Sequence, residues 1–303
     1  MNITKEFVMQ MGKIMGKQNM QLSDIMSQHK KDLENDCEKI QEKVIAQMCV
    51  DISNGYEPCP LCCSNREKKA EIIWIGLNPG GRLKKYMEFP WEIAKWQDIV
   101  DYYMPENLFD DKKNIYNDLL SDNNLTNSYY RFILQLYLAI LDVKKYNVES
   151  WEKLKEICRI NGTTTGDLFK NIIYNHPLIN AELLPYKSGS IKFSSKKLLG
   201  DRDYENYFKG ILKIIEGYSK EDAFVFFYGA RDEVIKLIKR FAPEWSPNEN
   251  QSIEFTLYKR QYKVYVYKKD NRKIILLPFF RTNSFDVRKL VDMINAELEK
   301  CNC

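Results

Sequence analysis

The chain has little of what several protein classes require. Only two of its 303 residues are histidine, His29 and His176, so a histidine-rich metal centre is excluded. No apolar run reaches the roughly 18 residues that a membrane helix needs. The opening text, MNITKEFVMQMGKIMGK, scatters lysines and lacks the continuous apolar stretch of a secretory signal. A cytoplasmic location with no membrane partner is the expectation. Neither sign of charge dominates. Lys plus Arg (46) against Asp plus Glu (42) leaves +4, too weak to imply nucleic-acid binding by itself but open to local basic patches. Disorder and collagen-like repeats are excluded for the chain as a whole by 44% apolar and 29% charged residues, an ordinary globular balance.

What is present divides unevenly. Seven of the ten methionines precede residue 49, and Leu33, Cys37, Ile40, Val44 and Met48 recur at helical spacing. Residues 1–55 therefore read as an N-terminal helical extension. It either packs on the main domain or offers a Met-rich surface, within residues 1–50, to a protein partner. Residues 56–303 read as one α/β domain. Ile72–Ile75 is a short buried strand ending in a Gly/Pro turn. Further strands are expected over 177–184, 223–229 and 273–278, with two alternating segments, SIEFTLY and QYKVYVYK, before the last. Helical text lies between them, including NSYYRFILQLYLAILDV, ARDEVIKLIKRF and the C-terminal segment. Strands alternating with helices predict a three-layer α/β/α sandwich around a mostly parallel sheet. Its ligand site would lie beyond the carboxyl ends of the strands.

The sharpest motif is Gly76-Leu77-Asn78-Pro79-Gly80-Gly81. Arg82 and Leu83 stand where a P-loop needs Lys and Ser/Thr, so a phosphate-binding P-loop is excluded. What remains is a rigid turn presenting an amide and several backbone N–H groups at a strand end.

These residues resemble the first motif of the uracil-DNA glycosylase superfamily, closest to its mismatch-specific thymine/uracil branch, which carries G-I-N-P-G. Leu178-Ile179-Asn180-Ala181-Glu182-Leu183-Leu184 is similar to a strand of the classical uracil branch that ends in a base-reading Asn. Phe224 to Ala230 is similar to the family's third strand. The resemblance runs in order over about residues 70–295. It implies hydrolysis of the N-glycosidic bond of a deaminated or damaged base in DNA, with no redox cofactor and no catalytic metal. Asn78 would orient the attacking water, and Asn180 would pair with the base edge, since an amide offers both donor and acceptor. Phe89 would stack on the flipped base, unless it is core, and Gly76, Leu77 and Pro79 would form the pocket floor.

The sequence departs from the family at the last loop. The usual His-Pro-Ser is replaced by Pro278-Phe279-Phe280-Arg281-Thr282-Asn283-Ser284. Arg281 either stabilises charge on the departing base, contacts a phosphate or another ligand, or pairs with a surface carboxylate. Lys187, Lys192, Lys196, Lys197 and Ser284 would contact a nucleic-acid backbone at the site mouth. Some family members carry an iron–sulfur cluster with a C-x-x-C before the first motif. Cys59-x-x-Cys62 resembles that pair, with Cys63 beside it as a further weak metal candidate, but the later ligands are not evident, so neither a cluster nor zinc is expected. The leading expectation is thus a DNA N-glycosylase acting on DNA. The alternative is a non-catalytic member of the fold that binds a nucleobase, nucleotide or nucleic acid. A helical interaction protein acting through residues 1–50 is a third reading.

Overall fold

A computed structural model of the chain describes residues 61–65, 68–77, 123–146, 148, 150–183, 199, 202–229, 231–247, 252–257, 260–279 and 286–300. The expected N-terminal extension and the lysines from Lys187 to Lys197 lie outside these residues.

Seven strands form one mixed sheet in the order β1-β3-β2-β4-β7-β6-β5. They are β1 (Leu61–Cys63), β2 (Ala70–Gly76), β3 (Leu178–Glu182), β4 (Ser219–Gly229), β5 (Ser252–Leu257), β6 (Arg260–Lys269) and β7 (Arg272–Pro278). The four central strands β3, β2, β4 and β7 run parallel, as the alternating pattern predicts. The flanks are antiparallel: β1 on β3 at one edge, and β6 and β5 beyond β7 at the other. The expected mostly parallel sheet is therefore corrected to a mixed one, because β5, β6 and β7 form a meander. The two-residue turn Asp270-Asn271 folds β6 back on β7, with Asp270 at φ 55°, a conformation that Asp tolerates.

Six helices are described: α1 (Ser128–Ile140), α2 (Trp151–Ile160), α3 (Thr165–Asn175), α4 (Arg202–Tyr218), α5 (Arg231–Phe241) and α6 (Val287–Lys300). The first three start at polar caps. The side chains of Asn127, Ser150 and Thr164 accept from the backbone N–H of Tyr129, Lys153 and Asp167. Each satisfies one of the orphan donors of a first helical turn.

The central strands are buried on both sides, which explains their continuous apolar text. Alternate residues Ile72, Trp74, Phe224, Phe226, Ile275 and Leu277 share one core with side chains of α1, α2, α3 and α6. The intervening residues Ile73, Ile75, Val225, Phe227, Ile274 and Leu276 are equally buried, and α4 and α5 contact β4 and β7. A buried Arg272 closes the amino side of β7. It donates from Nε to the Ser219 hydroxyl at 2.9 Å and from Nη2 to the Glu216 carbonyl at 3.0 Å.

Chain order and sheet order together locate the site. From β2 the chain crosses to β3 on one side; from β3 it returns past β2 to β4 and then β7. The direction reverses at β2, so the crevice of such a sheet falls at the carboxyl ends of β2 and β4.

Candidate functional site

Register stacks the central strands into rows. The inner row on the α1 side is Asn180, Trp74, Phe226 and Ile275, paired strand to strand. The outer row, two residues nearer the carboxyl edge, starts with the pair Glu182–Gly76 and continues past the Ile75–Phe227 pair to Tyr228 and Leu277. Two residues of strand separate the rows by about 6.6 Å.

Gly76 ends β2 without a side chain, and its neighbour explains why. A Cβ at Gly76 would lie within 3.0 Å of the carboxyl carbon of Glu182. The carboxylate thus fills the space over the backbone that leads into Leu77 and Asn78. Glu182 itself is buried, between the fully buried Ala181 and Leu183. A charged residue in such a strand is uncommon without a purpose. Gly229 ends β4 with φ at 105°, a left-handed conformation that side chains rarely adopt. Its open side faces Leu77, 3.9 Å from the place of a Cβ. The β2 and β4 ends therefore meet as two glycine-permitted backbones.

Asn180 is buried in the inner row. Its Oδ1 accepts a hydrogen bond of 2.9 Å from the Tyr129 hydroxyl, which fixes the amide to α1. Tyr129 also meets Trp74 edge-on at 5.9 Å and Tyr228 at 6.4 Å between ring centres. Tyr228 in turn lies 5.7 Å from Phe279. Phe279, just past β7, is 67% exposed, while Tyr228 is only 7% exposed. The outer row is thus a buried carboxylate and an aromatic wall around a glycine floor.

Of the residues singled out in the sequence, Gly76, Leu77 and Asn180 come together here. Asn78, Pro79, Phe89, Arg281, Ser284, the four lysines and Cys59 lie outside the described residues. Cys62 occupies the register position opposite Asn180, and Cys63 that opposite Ile179. Among the described residues no group of three or more His, Cys, Asp or Glu is placed to hold a metal ion. Cys158 is a free, buried cysteine on α2. Burial pushes its thiol up from its ordinary pKa, with Lys145 acting the other way. His176 is far from the carboxyl edge. It caps α3, and its Nδ1 pairs with Glu71 at 2.9 Å near the start of β2.

Sequence reading passed over Glu182, Tyr129, Tyr228 and Phe279. A visible signal existed for Glu182, the one charged side chain inside the LINAELL segment. Tyr129 carried none, because its partner is 51 residues away.

A cleft of about 90 Å³ opens at the opposite, amino edge of the sheet, lined by Glu71, Lys220, Asp222, Phe224 and Lys273 among others. It is well below the few hundred Å³ of small-molecule sites. Its two lysines and two carboxylates balance in charge. Lys273 lies 4.1 Å over the Phe224 ring; burial, and Lys268 with it, hold its pKa below the usual value despite Asp222. This edge carries none of the motif residues.

Among the described residues no helix is long and apolar enough to cross a membrane. No family model, no curated protein and no solved structure matches the chain.

Proposed function

We propose that the chain is a uracil-DNA-glycosylase-like protein, an α/β/α sandwich that hydrolyses the N-glycosidic bond of a deaminated or damaged base in DNA. The observation that supports it most is the meeting of the glycine-ended strands β2 and β4 at the switch point of the sheet, with Glu182 over Gly76 and Leu77 beside Gly229. Leu77 is followed in the sequence by Asn78, the residue to which this reading gives the water.

In this reading the base leaves the duplex and enters the carboxyl edge. Asn78 orients a water toward the sugar C1′. The bond from C1′ to the base nitrogen breaks, and its electron pair leaves with the base. Water oxygen bonds to C1′, and its proton passes to solvent or to the base. An amide positions water but is a poor base, which suits a cleavage in which the sugar already carries positive character. Arg281 stabilises the departing base, and the lysines from Lys187 to Lys197 contact the phosphates.

One observation favours a second reading, a binding module on the same fold. The final loop carries Arg281 where His-Pro-Ser is usual. The two separate in one assay. The full chain is incubated with single- and double-stranded oligonucleotides carrying uracil, hypoxanthine, mismatched thymine or an oxidised guanine. Abasic product that disappears in Asn78→Ala supports hydrolysis. Salt-dependent binding with no abasic product supports the binding module.

A further inference from the structure

We propose that Lys273 is a covalent attachment site for a small uncharged aldehyde or ketone, which enters the cleft at the amino edge of the sheet and forms a Schiff base with Nζ. The site is separate from the carboxyl edge and does not depend on the reading given to it.

Three observations carry the proposal. The first is the cleft itself, about 90 Å³ in volume and lined by Ile72, Ile140, Leu141 and Phe224 together with Lys273 and Asp222. A water takes up roughly 30 Å³ of the liquid, so the space suits a few heavy atoms and no more. The second is that the amine is available. Among the described residues no hydrogen bond or ion pair holds Lys273 Nζ, which lies 4.1 Å over the Phe224 ring. The other lysine of the cleft, Lys220, is instead tied to Glu71 Oε1 at 2.5 Å. The third is the state of the amine. Lys273 is half-buried, and burial holds its pKa below the ordinary lysine value; Asp222 opposes this and Lys268 adds to it. A larger share of neutral amine is a larger share of nucleophile.

The chemistry of the product selects the electrophile. The nitrogen lone pair attacks the carbonyl carbon, and the carbonyl oxygen takes a proton to give a carbinolamine. The C–O bond then breaks, the oxygen leaves as water, and a C=N bond forms. One water is released per imine, and nothing is oxidised or reduced. Asp222 supplies a carboxylate in the same cleft to carry the proton from nitrogen to oxygen. The protonated imine keeps a positive charge over the Phe224 ring and in the field of Asp222. An acylated lysine is neutral and a carbamate is an anion, so both lose those attractions. The apolar walls favour a carbonyl compound without a charge of its own.

The test incubates the full chain with propanal and sodium cyanoborohydride, which reduces each imine to a stable secondary amine. Peptide mass spectrometry follows the rate at every lysine. Lys273 is expected to react several-fold faster than the exposed Lys289 and than Lys220. Naphthaldehyde, too bulky for the cleft, should erase that lead. Leu141→Phe, which narrows the cleft at the end of α1, should slow Lys273 and leave Lys289 unchanged. Circular dichroism shows whether that variant keeps its fold, and the comparison of the two aldehydes needs no variant at all. Lys273 reacting no faster than Lys289, or keeping its full lead with naphthaldehyde, overturns the proposal. So does a full lead in a folded Leu141→Phe.

Discussion

Gly76 and Glu182 share one volume: the carboxylate stands where a side chain on the glycine would be. The pairing of β2 with β3 sets them side by side, and Leu183 N–H donating to the Gly76 carbonyl at 2.9 Å closes the ladder just beyond. A methyl at position 76 must displace the carboxylate or the strand. Gly76→Ala is expected to destabilise the chain by about 1–3 kcal/mol, the usual range for overpacking. In the Glu182→Ala background the same change should cost less. Urea denaturation of the four proteins of the cycle reads the coupling. Strict additivity would show that the two residues do not compete for space.

Tyr129→Phe removes the hydroxyl that donates to Asn180 and keeps the ring against Trp74 and Tyr228. The expected loss is about 1 kcal/mol, the net value of one hydrogen bond together with a partner left poorly satisfied. Denaturant midpoints check it. An unchanged midpoint would mean that Asn180 is not held by α1.

Ser64 ties the β1 edge to the body of the domain. Its hydroxyl donates to the Ile173 carbonyl at 2.6 Å and accepts from the Leu178 N–H at 2.7 Å. Ser64→Ala strands a buried backbone donor. The cost should be about 1–3 kcal/mol. Hydrogen exchange of the Leu178 amide should accelerate along with it.

Glu71 gives the fold a pH dependence at the amino edge. Burial raises its pKa, but hydrogen bonds from Lys220 at 2.5 Å and His176 at 2.9 Å outweigh this, and the net value lies below the ordinary 4.5. A carboxyl whose pKa is lowered by folding adds stability above its unfolded value. That stability is lost as pH falls through the folded value. Glu71→Gln should therefore cost under about 1 kcal/mol at neutral pH, since the group is partly solvated. Below about pH 4.5 the variant and the parent should converge. Thermal melts across that range read it, and a constant gap down to strongly acid pH would contradict it.

The parallel core was legible because its strands are apolar on both faces. Ile72–Ile75, 223–229 and 273–278 stand out as short apolar runs between turn signals, and each is a strand. β1 was not legible. Three residues after a Cys/Pro-rich loop carry no period, and the strand exists only because β3 offers it an edge. Helices α2 and α3 also went unread, although Ser150 and Thr164 are plain caps. The glycines at the carboxyl edge announced a turn, but not the carboxylate that makes Gly76 obligatory. That pairing comes from a register across more than a hundred residues of chain, which spacing along the sequence does not encode.

The most direct measurement of the central claim is amide hydrogen exchange of the full chain with and without a short mixed-sequence oligonucleotide at low salt. Protection is expected in the peptides that end β2, β3, β4 and β7, around Leu77, Leu183, Gly229 and Phe279. Protection confined to the amino edge, around Glu71, Lys220 and Lys273, or no protection anywhere, would contradict it.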